Sequence, residues 1–184
     1  MRVFFSIREL EVKKIRFEVD FQPGQIAFEQ DNMRQVTPLR TEGVAELLNN
    51  TLGEVRIKGK LEVGLEMDCD RCLDPVQFPL ATDFDLFYRP APATGMASHE
   101  VELDDGESQI GFYEGSGIEL GEILREHILL SIPMHMVCSE ACQGICPVCG
   151  VNRNTGECHC ETKPADDRWS ALRELRETLG TKPN

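Results

Sequence analysis

The sequence predicts an α+β fold: a curled, mostly antiparallel β-sheet forming a partial barrel, with packing helices and a C-terminal cysteine-rich zinc module. Three observations predict it. Apolar and polar residues alternate with a period of two across residues 54–88, interrupted by one C-x2-C pair. An apolar stripe at helical spacing follows over 118–131. Eight cysteines stand in two groups, Cys69 with Cys72, then Cys138, Cys142, Cys146, Cys149, Cys158 and Cys160.

Taken in order, residues 2–5 and 11–21 read as strands, with Ser6 to Leu10 a turn or short helix between them and Gln22-Pro23-Gly24 ending the second. Residues 25–41 are polar and mixed, and 44–50 read as a further strand. The clearest element is 54–68. There Val55, Ile57, Leu61, Val63, Leu65 and Met67 alternate with Arg56, Lys58, Lys60, Glu62, Glu66 and Asp68, the pattern of a half-buried strand. After C-D-R-C-L-D-P the alternation resumes at Val76, Phe78, Leu80, Phe84, Leu86 and Tyr88. The two runs form a long antiparallel hairpin with Cys69 and Cys72 in its connecting loop. Gly59 and Gly64 predict bends or bulges.

Residues 89–98, R-P-A-P-A-T-G-M-A-S, read as a flexible linker, 100–107 as a solvated acidic stretch and Gly111 to Gly117 as a turn. Ile118, Ile123, Leu124, His127, Ile128 and Leu130 make the helical stripe, which Pro133 closes; His127 is read as a packed core residue. A final helix covers about 167–179, with Asp166 as N-cap and Trp169, Leu172, Leu175 and Leu179 at three- and four-residue spacing. The expected division is a β-rich core, 1–133, holding the hairpin 54–88 and the helix 118–131, and a zinc-knuckle module with the C-terminal helix, 134–184.

Net charge is −13 and uneven: 10 Lys/Arg stand against 9 Asp/Glu in residues 1–60, and 9 against 23 thereafter. Bulk electrostatics therefore disfavours nucleic acid. A local footprint for RNA phosphates remains a candidate in Lys13, Lys14, Arg16, Arg56, Lys58 and Lys60, the last three on the polar face of one strand. No apolar stretch approaches the roughly 20 residues that span a bilayer, and the N-terminus does not read as a signal peptide. The expectation is a cytoplasmic protein without a membrane partner, its oligomeric state left open. In a reducing cytosol, clustered cysteines read as metal ligands before disulfides.

Zn²⁺ takes four thiolates at tetrahedral corners, and turns of the type Cys146-Pro147-Val148-Cys149-Gly150 supply two at a time. The glycine lets the chain turn so that backbone N–H groups face the sulfurs. Cys158-His159-Cys160 lies within reach of that knuckle, which pairs Cys146, Cys149, Cys158 and Cys160. Cys69, Cys72, Cys138 and Cys142 are left for a second site that would pin the hairpin tip to the end of the helix and close a long loop. Two zinc ions are favoured over one.

The rival reading is a redox-sensing zinc switch, since C-x-C and C-x2-C thiolates are oxidisable. The spacing Cys142-x3-Cys146-x2-Cys149 also occurs in radical enzymes with an iron–sulfur cluster, but those carry it early in a large barrel. Four-cysteine sites are closed, without the open position that catalytic zinc needs. No nucleophile elbow, phosphate loop or dinucleotide fingerprint is present. Asp104-Asp105 suits a solvated face and Asp166-Asp167 a helix N-terminus. His99 falls in a loop, and His135 and His159 flank cysteines that already suffice as ligands. The chain does not read as an enzyme.

Several of these segments resemble the YceD family. They are Cys69-Asp70-Arg71-Cys72-Leu73 with the Phe84 strand; Ile118-Glu119-Leu120 leading to Leu130-Ser131-Ile132-Pro133; and C-x3-C-Q-G-I-C-P-V-C-G-V-N-R-N with Cys158-x-Cys160 and Asp167-Arg168-Trp169. The resemblance runs from about 54 to 179. It implies a bacterial factor, with plastid relatives, that supports accumulation of large-subunit ribosomal RNA. Family genes often adjoin that of a small zinc-binding large-subunit ribosomal protein. The implied role is ribosome biogenesis, with large-subunit rRNA or a basic large-subunit ribosomal protein as partner. Some members keep the hairpin C-x2-C yet lack most later cysteines, which implies that the 142–160 module is not essential to the common role. Arg153 departs from the apolar residue expected in the C-G-x-N-x-N stretch and leaves the ligands intact.

Overall fold

The computed structural model describes residues 2–29, 32–49, 51, 53–91 and 110–160. The acidic stretch 100–107, His99, most of the linker at 89–98 and the final helix with Asp166, Asp167, Trp169, Leu172, Leu175 and Leu179 lie outside the described residues. The elements are β1 (Phe4–Ser6), α1 (Ile7–Leu10), β2 (Ile15–Phe21), β3 (Met33–Gln35), β4 (Leu39–Leu47), β5 (Val55–Asp68), β6 (Pro75–Pro90), β7 (Ile110–Tyr113), β8 (Gly117–Glu119) and α2 (Leu120–Ser131).

The strongest alternation makes the longest pairing. β5 and β6 form an antiparallel hairpin in unbroken register from Val55↔Tyr88 to Asp68↔Pro75. Val55, Ile57, Leu61, Val63, Leu65 and Met67 are all buried on one face. Gly59 makes no bulge. It faces Gly43 and Phe84 where backbones and a ring approach closely, and a Cβ there would lie 2.8 Å from the Phe84 ring. The irregularity near Gly64 belongs to the facing chain. Gln35 pairs Leu65 and Arg40 pairs Glu62, so five steps on one side face three on the other. Thr37 fills that gap, its Oγ1 accepting the Gly64 N–H at 2.7 Å.

The main sheet runs β2-β4-β5-β6-β7, with β3 also paired to β5. All its pairings are antiparallel except β6 with β7. Among the described residues no pairing joins β2 to β7, so the sheet is open and the expected partial barrel is not confirmed. A separate ribbon pairs β1 with β8 and leads into α2.

α2 contributes Leu120, Ile123, Leu124 and Ile128 to the same apolar core as the sheet. Leu130, expected in that stripe, is 79% exposed, and Leu120 takes its place. His127 is half-buried against Phe84, ring centroids 5.7 Å apart; burial lowers its pKa, and its Nε2 has no hydrogen-bond partner. The strand expected at 44–50 is β4, which starts earlier, because Thr41 and Gly43 occupy inward positions and mask the alternation. The expected turn from Gly111 to Gly117 contains most of β7 and the start of β8.

Candidate metal centres

The β5–β6 turn and the segment after α2 meet at one end of the sheet. Asp70 N–H donates to Met136 O at 2.8 Å, and Met136 N–H returns a bond to Asp70 Oδ2 at 2.8 Å. Ile145 N–H donates to Arg71 O at 2.9 Å, and Arg71 Nη1 reaches the carbonyls of Glu140 and Cys142, both at 3.1 Å. These contacts gather Cys69, Cys72, Cys138 and Cys142 into an inner cluster, of which only Cys138 is exposed. Cys146, Cys149, Cys158 and Cys160 form an outer cluster, of which only Cys146 is buried. In each cluster all four sulfurs lie within 4.8 Å of one another. The outer set is the one that spacing paired, and the inner set is the one left over.

Both clusters are built on the same knuckle. Gly150 follows the second cysteine of its pair at φ 74°, and its N–H donates to Cys146 O at 2.9 Å. Leu73 does the same after Cys72: φ is 63°, and its N–H donates to Cys69 O at 2.9 Å. A leucine in this left-handed region costs about 1–2 kcal/mol relative to ordinary backbone. Leu73 is nevertheless 61% exposed, so burial does not offset that strain.

The sulfurs are arranged to carry charge that they cannot hold alone. Burial pushes Cys69 up, but backbone N–H groups of Cys138, Arg71 and Cys72 outweigh it and bring its pKa down to about 6. Backbone N–H groups of Cys149 and Val148 bring Cys146 to about 6 as well. The Asn154 amide heads the causes that lower Cys142. Against these, Cys149 and Cys158 push Cys160 up to about 12, and Cys142 above all raises Cys138. Four adjacent thiols cannot all ionise without a compensating cation, and a divalent ion would supply that charge.

The geometry fits one ion per cluster. Zn–S bonds of about 2.3 Å at tetrahedral corners set sulfurs about 3.8 Å apart. Here Cys69–Cys142 is 3.9 Å, Cys72–Cys138 3.6 Å, Cys149–Cys158 3.5 Å and Cys146–Cys158 3.3 Å. Such distances leave no room for a multi-iron cluster between the sulfurs. His135 lies instead 3.7 Å from Asp70, and neither His135 nor His159 joins a cluster.

Sequence reading passed over the polar residues that support the clusters. Asn154 Nδ2 donates to Cys142 Sγ at 3.3 Å and its Oδ1 accepts Gln143 N–H at 2.8 Å. Asn152 Nδ2 donates to Asp74 Oδ2 at 2.7 Å, and its Oδ1 accepts from Asn154. The available signal was the pair of asparagines in C-G-V-N-R-N. Arg153 between them donates its N–H to Gly144 O, a bond that any non-proline residue makes.

The six basic residues singled out for RNA share one side of the sheet in part. Arg16 on β2 and Arg56, Lys58 and Lys60 on β5 line or flank a shallow trough that Lys14 also borders, while Lys13 is exposed in the turn after α1. Lys14, Arg16, Lys58 and Lys60 meet Glu18, Glu42, Glu46, Asp83 and Asp85 in that trough. Arg56 forks onto Asp85 at 2.6 and 2.7 Å, Lys60 pairs Glu42 at 3.0 Å, and Lys14 pairs Glu46. The Arg56 guanidinium holds the Asp85 carboxyl below its ordinary pKa. The face is a mixed-charge surface, close to neutral. Among the described residues no helix is long and apolar enough to cross a membrane.

The family model for the Large ribosomal RNA subunit accumulation protein YceD matches residues 57–176. An uncharacterized protein of Mycobacterium tuberculosis is 29% identical over 138 residues, covering 74% of this chain and 59% of that protein. The Large ribosomal RNA subunit accumulation protein YCED homolog 1, chloroplastic, of Arabidopsis thaliana is 25% identical over 149 residues, covering 70% of this chain. This chain spans only 46% of that plant relative's length. The uncharacterized protein YlbN of Bacillus subtilis is 21% identical over 173 residues, 93% of each chain. No solved structure matches significantly.

Proposed function

This chain belongs to the YceD family of large ribosomal RNA subunit accumulation proteins, and from that premise we propose that it supports large-subunit rRNA accumulation as a non-enzymatic, cytoplasmic assembly factor. Each cysteine cluster holds one Zn²⁺, and the two ions shape the hairpin tip into a docking surface for a basic protein of the large subunit. Leu73 carries this reading: it is an exposed apolar side chain held at a strained backbone position, directly after a zinc-knuckle pair, where glycine would serve the turn at less cost. The charge supports the same partner. The cluster-bearing segments include Asp68, Asp70, Asp74, Glu140 and Glu157 against Arg71 and Arg153, and each four-thiolate zinc site adds about −2. On the sheet, by contrast, carboxylates already neutralise Arg56, Lys60 and Lys14.

The test is Leu73→Gly in the full-length protein. Expected are about two zinc ions per chain, unchanged or slightly raised thermal stability, and loss of binding to purified, nuclease-treated large-subunit proteins. Undiminished binding by the variant would remove the tip from the docking surface. If nuclease abolishes binding and affinity falls steeply with salt, rRNA itself is the partner, with Lys13, Lys14, Arg16, Arg56, Lys58 and Lys60 as the contacts to neutralise next.

A further inference from the structure

We propose that Asn152 and Asn154 couple the two cysteine clusters, so that a metal ion in the outer cluster tightens the inner cluster's hold on its own. The proposal rests on the reading of both clusters as metal sites. Its basis is where the two asparagines sit. Both lie in the loop between Cys149 and Cys158, whose sulfurs are 3.5 Å apart, so an ion in the outer cluster closes that loop. Both side chains leave the loop and end on the inner cluster's surroundings, one at Cys142 and the other at Asp74 beside Cys72.

Asn154 Nδ2 donates to Cys142 Sγ at 3.3 Å, and its Oδ1 fixes the Gln143 N–H next to that ligand. Asn152 Nδ2 donates to Asp74 Oδ2 at 2.7 Å, an oxygen 3.3 Å from Cys72 Sγ. A carboxylate so close to a metal-bound thiolate repels it, and the Asn152 amide offsets that repulsion. The two amides are tied to each other at 2.9 Å, so neither moves alone. Hydrogen bonds of this kind orient metal ligands and tune their donor strength. When the outer ion leaves, the loop regains its freedom and these bonds become intermittent. By linkage, whatever factor the outer ion adds to inner affinity, the inner ion adds to outer affinity.

The experiment uses the full-length, zinc-loaded chain and follows zinc release to a chromogenic chelator. Cys149→Ser empties the outer site and leaves the inner ligands whole. Asn154→Asp keeps all eight cysteines but replaces the donor to Cys142 with a repelling carboxylate. Arg153→Ala, whose side chain takes no part in the network, is the control. Release from the inner site is expected to be about tenfold faster in both Cys149→Ser and Asn154→Asp, and unchanged in the control. With ¹¹³Cd in place of zinc, Asn154→Asp should shift the inner-site resonance, identified as the one that survives in Cys149→Ser. A loop with a purely structural role would leave that resonance in place. A wild-type chain that binds two ions, with inner release within twofold of it in both variants, overturns the coupling alone. A wild-type chain that binds no zinc overturns the metal reading, and the coupling with it. Should Cys149→Ser fail to fold, Asn154→Asp and its cadmium spectrum decide the matter.

Discussion

The inner and outer clusters share a chemistry and differ in what they hold together. Each begins with a C-x2-C pair followed by a residue at positive φ whose N–H bonds back to the first cysteine's carbonyl. The inner cluster then joins stretches of chain 66 and 73 residues apart and packs against Val76 and Val137. The outer cluster joins residues 9 and 12 apart, and two of its cysteines are half-buried and one exposed. Closing a loop of the inner kind restricts the unfolded chain by on the order of 4 kcal/mol, against about 2.5 kcal/mol for the outer kind. With an ion in each, the inner site would be a staple of the fold, while the outer one would give shape to a single loop.

The largest effect should come from breaking the inner staple. Cys72→Ser is expected to lower Tm by about 10 °C, because the tip comes apart and the segment from Met134 to Val137 loses its anchor on Asp70. Cys160→Ser should lower Tm by about 6 °C, since the loop it closes is short and, among the described residues, no core residue packs on the outer cluster. Thermal unfolding followed by circular dichroism, with zinc content measured on the same samples, makes the comparison. Equal losses in the two variants would mean that the clusters share the load and that their difference in sequence span is immaterial.

A smaller effect separates the clusters through their glycines. Gly144 has φ 71°, and a Cβ there would lie 2.8 Å from Arg71 O, on the seam between module and hairpin. Gly150 has φ 74° with nothing within 4 Å. Gly144→Ala therefore adds a clash to backbone strain and should cost about 2–3 kcal/mol; Gly150→Ala carries the strain alone, about 1 kcal/mol. Urea unfolding measures both. If the two costs are equal, the seam yields to an added methyl and the module is less tightly docked than the inner cluster requires.

Much of this arrangement was legible in the sequence, for identifiable reasons. The hairpin could be read because its inward positions, Gly59 and Thr82 aside, are all apolar; the outer ligand set followed from cysteine spacing, and the inner set from the cysteines left over. Sheet neighbours beyond the hairpin were not legible. β7 is four residues long and pairs parallel to β6, which no local pattern announces. β4 was misplaced because Thr41 sits inward, where its Oγ1 donates to Lys60 O at 3.0 Å and so does not behave as a surface residue. Leu73 was missed because a knuckle leads one to look for glycine. The asparagines were missed because their partners, Asp74 and Cys142, are contributed by different parts of the chain.

The smallest effect should come from the sheet's charged face, remote from both clusters. Arg56 forks onto Asp85 and lies 5.6 Å over the Phe87 ring, yet its side chain remains in contact with solvent. Exposed pairs of this kind contribute little and are screened by salt. Arg56→Ala is expected to lower Tm by about 2 °C or less in low salt, and by less again in 1 M NaCl, with zinc content unchanged. Asp85 has a lowered folded-state pKa, so the pair's contribution is full above the unfolded carboxylate's pKa and is lost as pH falls through the folded value. Acid is the poorer probe, because it would also protonate the thiolates and release a metal ion held by them. Salt isolates the pair. A Tm loss in Arg56→Ala as large as that of Cys72→Ser, insensitive to salt, would show that the sheet face, and not the stapled tip, carries the stability assigned here to the inner cluster.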